Sequence, residues 1–125
     1  MMFSFALPLT HTMPHCIIHY ARPLASRVPP EQLVQTVYAS ALASGLFQGQ
    51  DIKTRALAFE DYQTGEQQQD FIHVEVRLLS GRTLEQRTAL SRHVMDALLA
   101  LGQQDISLTV QISEMERNSY SKHVS

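Results

Sequence analysis

Within the segment from residue 70 to residue 79, apolar and polar side chains alternate strictly from Ile72 to Leu78. The apolar side chains recur at every second position: Ile72, Val74, Val76 and Leu78. The polar side chains between them are His73, Glu75 and Arg77. Because residues two apart share a face of a β-strand, this pattern predicts a strand with one face in a core and the other face outside it. The fold must therefore supply a sheet that is covered on one face.

Apolar residues at helical spacing predict two helices that would cover this sheet. The first spans about residues 30–44, with Leu33, Val37 and Ala41 on one side, prolines in its first turn and Gly45 at its end. The second starts at Thr83, which forms a capping-box pattern with Gln86. Its predicted apolar stripe consists of Leu84, Leu90, Val94, Leu98 and Leu101, closed by Gly102.

The other predicted strands span residues 14–21, 52–61 and 105–114. Strand 52–61 has apolar groups on both sides, which is typical of a central strand or of a strand at an interface. The polar stretch 63–69 predicts a turn that joins this strand to strand 70–79 in an antiparallel hairpin. The order βαββαβ, with right-handed crossovers, predicts an α+β fold: a four-stranded mixed sheet with both helices on one face. We expect another subunit to cover part of the other face.

Length and composition predict one globular domain. The chain has 125 residues, so residues 13–125 would form a single domain with its own core. Residues 1–12 would form an N-terminal extension, which is a start-site artefact, a genuine extension or a cloning remnant. They fit a signal peptide poorly, because no basic region precedes their short apolar stretch.

Charge, hydropathy and cysteine content limit the partners of this domain. The net charge is −2 and Lys and Arg form no cluster in the sequence, so we expect no nucleic-acid partner. No apolar run approaches the roughly 18 residues of a membrane span, so we expect no membrane partner. Cys16 is the only cysteine, which excludes an intrachain disulfide and fits a reducing compartment, so we expect a cytoplasmic protein.

The Met13–Pro14 pair opens the first predicted strand. If the mature chain began at Pro14, the proline nitrogen would be a free secondary amine, which can act as a base near neutral pH. In the chain as it stands, this nitrogen belongs to an amide and has no useful basicity. Prolines are also tolerated at the first residue of a strand for structural reasons alone. The dipeptide by itself leaves both interpretations open.

Five short motifs occur in a characteristic order: M-P-H at 13–15, G-L-F at 45–47, D-I-K-T-R at 51–55, F-I-H-V at 71–74 and S-G-R-T-L-E-Q-R at 80–87. With these motifs, the chain from Met13 to about Glu116 resembles the 5-carboxymethyl-2-hydroxymuconate isomerases of the tautomerase superfamily. The resemblance implies a homotrimer of paired βαβ units that acts on an unsaturated carboxylic acid. It also implies an N-terminal proline as general base and no metal or organic cofactor.

The same resemblance indicates the site residues. Pro14 would be the catalytic base, and Arg82 matches an arginine that binds substrate. Lys53 stands where the family usually has arginine, which keeps the charge but loses the bidentate fork that suits a carboxylate. Arg55 matches a second basic position, and His15 matches the family's histidine. Each has a structural alternative: Arg82 as a solvated turn residue, Arg55 as an interface or surface charge, and His15 as a strand position.

Other functions stay open from the sequence. With Pro14 acylated, the protein would be a non-catalytic trimer or a small-molecule-binding module, and fold order alone also fits a ferredoxin-like regulatory domain. His19 and Cys16 have no third partner at ligand spacing, so we expect no metal site. We interpret Cys16 as a small buried hydrophobe. His73, Glu75 and Arg77 would form either a site or a polar face between subunits.

Overall fold

The computed structural model describes residues 13–125, so the expected extension over residues 1–12 lies outside the described residues. The elements are β1 (His15–Ala21), α1 (Pro30–Ala43), β2 (Lys53–Phe59), β3 (Asp70–Leu79), α2 (Leu84–Leu99) and β4 (Ile106–Met115). Short 3₁₀ turns occupy Arg22–Ser26, Gly49–Asp51 and Arg117–Ser119. The predicted βαββαβ order and the α+β class are confirmed.

The four strands form one mixed sheet in the order β2-β1-β3-β4. β1 pairs with β2 and β3 pairs with β4 in parallel, and the two pairs join through the antiparallel strands β1 and β3. The predicted hairpin between strands 52–61 and 70–79 is therefore wrong. β1 lies between those two strands, and the polar turn between them forms only a local bridge between Thr64 and Gln67.

β2 lies at an edge of the sheet, so its interpretation as a central strand is also wrong. Ala56 and Ala58 are only half-buried, because a single neighbouring strand flanks them. On the opposite face Leu57 is 56% exposed. The apolar groups on both sides of β2 therefore do not reflect burial on both faces within this chain. The alternative, an interface strand, remains a prediction.

The core lies between the helices and one face of the sheet. The strands contribute alternate residues that are almost fully buried: Cys16, Ile18, Tyr20, Ile72, Val74, Val76 and Leu78. The helices contribute Leu33, Val37, Ala41, Leu90, Val94 and Leu98. We call the uncovered side of the sheet the open face. Truncating a fully buried leucine such as Leu90 to alanine would cost about 2–5 kcal/mol, because a cavity would remain.

One residue of the predicted α2 stripe does not belong to the core. Leu84 is 68% exposed, whereas Leu90 is fully buried. Six residues separate them, and at 3.6 residues per turn this spacing directs the two side chains about 120° apart.

Within residues 13–125, neither helix has the length and apolar character that a bilayer span requires.

Candidate active site

Pro14 lies at the end of the sheet where two strands begin and two strands end. β1 and β2 start there, and β3 and β4, which run the other way relative to β1, finish there. The backbone N–H of Lys53 donates a 3.0 Å hydrogen bond to the carbonyl oxygen of Pro14. The first residues of β1 and β2 are thus fixed next to each other. We call this region the Pro14 end.

His15, Lys53 and Arg55 meet on the open face at the Pro14 end. The strand register places His15 opposite Lys53 on one side and opposite Arg77 on the other. The Arg55 guanidinium Nη1 lies 3.1 Å from His15 Nδ1. Lys53 Nζ donates to the backbone oxygen of Asp51 at 3.2 Å. Three residues that the sequence singled out are therefore neighbours of Pro14 and of one another.

The charge around His15 is strongly positive. Burial lowers the pKa of His15, and the charges of Arg55, Lys53, Arg77 and Lys122 lower this pKa further. Six of the chain's ten Lys and Arg residues have contacts or strand positions at this end: Lys53, Arg55, Arg77, Arg82, Arg117 and Lys122. Arg77 and Lys122 are paired with the carboxylates of Glu75 and Asp51. The positive charge of the other four attracts small anions and favours their binding.

Arg82 is positioned by the turn that leads from β3 into α2. Gly81 has a φ of 126°, a conformation that favours glycine, and Thr83 caps α2 through a complete capping box with Gln86. Arg82 Nη2 donates a 2.7 Å hydrogen bond to the backbone oxygen of Leu46, and its guanidinium carbon lies 5.5 Å from the centre of the Phe47 ring. The G-L-F and S-G-R motifs of the sequence therefore meet at this arginine.

Arg82 is also partly withdrawn from water. Burial lowers the pKa of its guanidinium, and the neighbouring charge of Arg117 adds to this effect. A cation in such surroundings is less screened than one on the open surface, so it binds an anion more strongly. Arg82 contacts the segment after α1, whereas His15, Lys53 and Arg55 lie together on the open face.

Sequence reasoning missed the part that the C-terminal residues play at this end. Arg117 Nη2 donates to the backbone oxygen of Ser80 at 3.0 Å, and the Tyr120 hydroxyl lies 3.0 Å from His15 Nε2. Lys122 Nζ forms a 3.1 Å ion pair with Asp51 Oδ1. The C-terminal residues therefore pack on their own chain. The one feature of the sequence that could have indicated these contacts is the presence of Tyr120, Arg117 and Lys122 in an otherwise polar C-terminal segment.

The polar residues farther along the open face are satisfied by their own sheet. His73 Nδ1 and Nε2 lie 2.6 Å from Thr109 Oγ1 and 3.3 Å from Gln111 Oε1. Glu75 accepts from Arg77 at 3.1 Å and from Ser113 at 2.8 Å, and these bonds lower the pKa of its carboxyl. These contacts lie within one chain, and the interpretation of these residues as a polar face between subunits remains a prediction. Among residues 13–125, no three His, Cys, Asp or Glu side chains are grouped as metal ligands would be.

Two further residues frame Pro14. Met13 is only 2% exposed and belongs to the core, and Pro14 itself is buried. Cys16 is fully buried, and this burial raises the pKa of its thiol to about 11, so it remains a neutral, unreactive group at neutral pH.

Pro14 does not line any of four surface cavities of about 350–490 Å³ on the described residues.

Comparison with solved structures shows that other proteins share this fold. A 5-carboxymethyl-2-hydroxymuconate isomerase from Deinococcus radiodurans R1 has 23% identity and a TM-score of 0.80, over 94% of each chain. A 5-carboxymethyl-2-hydroxymuconate delta-isomerase has 18% identity and a TM-score of 0.80, over 95% of this chain and 92% of that one. A fused 4-OT described as a symmetric trimer has 19% identity and a TM-score of 0.68, over 86% of this chain and 90% of its own.

The sequence identifies the family to which the chain belongs. Residues 14–125 match the family model of 5-carboxymethyl-2-hydroxymuconate isomerase, so the chain belongs to this family. A comparison with curated protein sequences found no match. The matched region begins at Pro14 and includes every residue of the Pro14 end that the motifs had indicated.

Proposed function

We propose that this protein is a cofactor-independent keto-enol isomerase of an unsaturated carboxylic acid such as 5-carboxymethyl-2-hydroxymuconate. Membership of an isomerase family supports the class of reaction. The observation that carries the proposal is the group of cationic side chains around His15, the residue that follows Pro14. These cations would bind the carboxylates of a substrate and stabilise the dienolate that forms when a proton leaves carbon.

In this proposal Pro14 is the general base, in a form of the chain that begins at Pro14. Its free amine would take a proton from one carbon of the substrate and return it to another. The nearby cations would lower the pKa of the proline ammonium, so that the amine is unprotonated near neutral pH. Removing Met13 would also remove its buried side chain from the core.

The cations have separate roles in the proposal. Lys53 and Arg55 on the open face would bind one carboxylate, and Arg82 would bind another carboxylate or the developing enolate oxygen. His15 would support Arg55 through the contact between Nδ1 and the guanidinium. We further propose a homotrimer assembled through the open face, in which neighbouring subunits complete the site. The trimeric 4-OT neighbour and the exposed Leu57 on the edge strand support this assembly.

A second function is supported by one observation on the chain as it stands. Pro14 is bonded to Met13 through an amide and is buried, so its nitrogen has no basicity here. In that form the cations of the Pro14 end would still bind a small anionic ligand. The protein would then be a non-catalytic binding module with a tautomerase fold.

The two functions are separated by preparing two forms of the chain, one beginning at Pro14 and the other at Met1. Turnover of 5-carboxymethyl-2-hydroxymuconate is followed by its ultraviolet absorbance. We expect the form with the free amine to be faster by about 100-fold or more, the usual contribution of a positioned base. Equal turnover by the two forms would reject Pro14 as the base.

A matched control distinguishes the loss of the base from a loss of the fold. Met13 contributes to the core, and burying a methionine side chain contributes about 1.5–3 kcal/mol, so the shorter chain will be somewhat less stable. Urea unfolding of both forms measures this difference. A Pro14→Ala variant of the shorter chain keeps a free amine but makes it a primary, less basic amine and removes the ring, so its turnover should fall while its fold remains.

A further inference from the structure

The C-terminal residues cross the Pro14 end from one edge of the sheet to the other. After β4, Arg117 binds the carbonyl of Ser80 next to the end of β3. Tyr120 then reaches His15 at the start of β1, and Lys122 pairs with Asp51 just before β2. This is the spatial order of the strands, β4, β3, β1 and β2. We call residues 117–122 the C-terminal strap.

The strap is held by polar contacts that are partly buried at both ends and in the middle. Asp51 is only 8% exposed, and a carboxylate at such a position needs a cation or hydrogen bonds to offset its lost hydration. Lys122 supplies that cation. Tyr120 is half-buried, packs against the core and has an edge-on ring contact with His15. The strap is therefore a fixed part of the Pro14 end.

The contacts of His15 define which of its nitrogens is protonated. An arginine guanidinium can only donate hydrogen bonds, so His15 Nδ1 must accept from Arg55 Nη1, 3.1 Å away. In a neutral imidazole the other nitrogen then holds the proton. Nε2 therefore donates to the Tyr120 hydroxyl oxygen, at 3.0 Å. The result is a chain of three residues, from Tyr120 through His15 to Arg55.

Burial and the charged groups around His15 favour its neutral form. The charged groups come from three elements: Lys53 and Arg55 from β2, Arg77 from β3 and Lys122 from the strap. A second proton on the ring would displace Arg55 from Nδ1 and add a positive charge among four others. The neutral ring thus lies between Tyr120 and Arg55 and contacts each of them through one nitrogen.

We propose that Tyr120 is a positioning residue, which holds the ring of His15 and through it directs Arg55 toward a carboxylate of the substrate. The proposal rests on the function proposed above and names a residue in the strap as a determinant of substrate binding. The tyrosine hydroxyl accepts from Nε2–H, so it favours the same tautomer as Arg55 does and fixes the orientation of the ring. Without this hydroxyl, Arg55 alone would hold the ring, and both side chains would be positioned less firmly.

The first test compares Tyr120→Phe with a matched control, Tyr62→Phe. Phenylalanine keeps the ring and its packing but removes the hydroxyl. Tyr62 is also half-buried, but it lies at the opposite end of the sheet and contacts Phe71 through its ring. With cis,cis-muconate as a stable dicarboxylate probe, we expect Tyr120→Phe to weaken binding by about threefold to tenfold, as loss of one hydrogen bond does. Tyr62→Phe should leave binding unchanged.

In the form of the enzyme that turns substrate over, Tyr120→Phe should raise KM by a similar factor with little change in kcat. A purely structural role would instead lower the melting temperature without this change in KM. Equal binding and equal KM in the wild type and Tyr120→Phe would overturn the proposal.

The second test observes the tautomer directly and does not depend on turnover. In ¹⁵N NMR spectra of the imidazole side chains, assigned through a His15→Gln variant, wild-type His15 should have its proton on Nε2. Tyr120→Phe removes the acceptor of the Nε2 proton and should increase the share of the tautomer with its proton on Nδ1. A wild-type His15 with its proton on Nδ1, or a tautomer unchanged in Tyr120→Phe, would reject the positioning chain. Absence of turnover with intact NMR results would instead reject the proposed function alone.

Discussion

The backbone N–H of Lys53 donates a hydrogen bond to the carbonyl oxygen of Pro14, with a nitrogen–oxygen distance of 3.0 Å. Two residues that lie 39 positions apart in the sequence thus begin adjacent parallel strands. The side chain of Lys53 extends on the same face as His15, its partner in the strand register. The proposed base and one of its cations are therefore positioned by the backbone.

Replacing Lys53 with arginine tests its role as a carboxylate ligand. Arginine keeps the charge and adds a planar fork that can bind both oxygens of a carboxylate. We expect Lys53→Arg to lower the KM for 5-carboxymethyl-2-hydroxymuconate or leave it unchanged, with kcat retained. Lys53→Met should raise the same KM. Weaker substrate binding by Lys53→Arg than by the wild type would contradict the role.

Arg82→Ala should remove most of the turnover while the chain remains folded. Loss of one preorganised cationic donor lowers kcat/KM by about 100-fold. The variant also leaves the Leu46 carbonyl without this donor, which would cost about 1–3 kcal/mol of stability if water does not replace it. Steady-state kinetics and urea unfolding measure the two effects separately. Arg92→Ala, at an exposed position of α2, is the control, and unchanged kinetics in Arg82→Ala would reject the role of Arg82.

Stability should decrease as the pH falls below about 6.5, partly because of His15. Its pKa is lower in the folded protein than the usual value of 6.5, so the unfolded chain takes up the proton first as the pH falls. Proton uptake by the unfolded chain favours unfolding. The loss begins near pH 6.5 and continues until the pH passes through the folded pKa of His15.

Urea unfolding at pH 7.5, 6.5 and 5.5 measures this dependence. Glu75 acts in the same direction but at lower pH, because its pKa is lowered from 4.5. His15→Gln should therefore have a flatter profile between pH 6.5 and 5.5 than the wild type. His93→Gln, at an exposed position of α2, should retain the wild-type slope. Equal slopes in both variants would show that His15 is not responsible.

Cys16 should not react with a thiol reagent in the folded protein. The side chain is fully buried, so the reagent cannot reach the sulfur. Burial also raises the pKa of the thiol to about 11, so the reactive thiolate is not formed at neutral pH. Reaction with Ellman's reagent should occur only on unfolding in urea. Ala89→Cys, which introduces a thiol at an exposed position of α2, should react at once. Rapid labelling of native wild-type protein would contradict the burial of Cys16.

The proposed trimer can be tested at two exposed leucines. Leu57 is 56% exposed on the open face, and Leu99 is 59% exposed at the end of α2. Burying an aspartate in an interface is costly unless it is paired, so Leu57→Asp should dissociate the assembly. Leu99→Asp should not. Light scattering should give a wild-type mass three times that of the 14.1 kDa chain. A monomeric wild type would reject the trimer.

The elements of the fold could be predicted because their signals are local. The alternation in β3 and the helical spacing of Leu33, Val37 and Ala41 placed those elements within about two residues of their observed bounds. The pairing of the strands was predicted less well. A polar turn between two strands indicates that the chain reverses, but it does not indicate that β1 will lie between them.

The candidate site was predictable where motifs mark it and not elsewhere. Pro14, His15, Lys53 and Arg55 lie together as the motifs implied, although the roles proposed for them are still predictions. The contact between Tyr120 and His15 was not predicted, because the two residues lie 105 positions apart in the sequence. No periodicity connects positions so far apart, and a single tyrosine in a polar tail has no distinguishing pattern.

The register of β3 limits how this chain can vary in length. All ten residues of β3 are paired with β4, and six positions of β1 are paired with β3 on its other side. Deleting one residue from the middle of β3 would reverse the faces of every residue beyond it, so that charged residues such as Arg77 would enter the core. Substitutions on the open face should therefore be tolerated far more readily than single-residue deletions. Length differences among natural variants should be confined to the polar turn at 60–69.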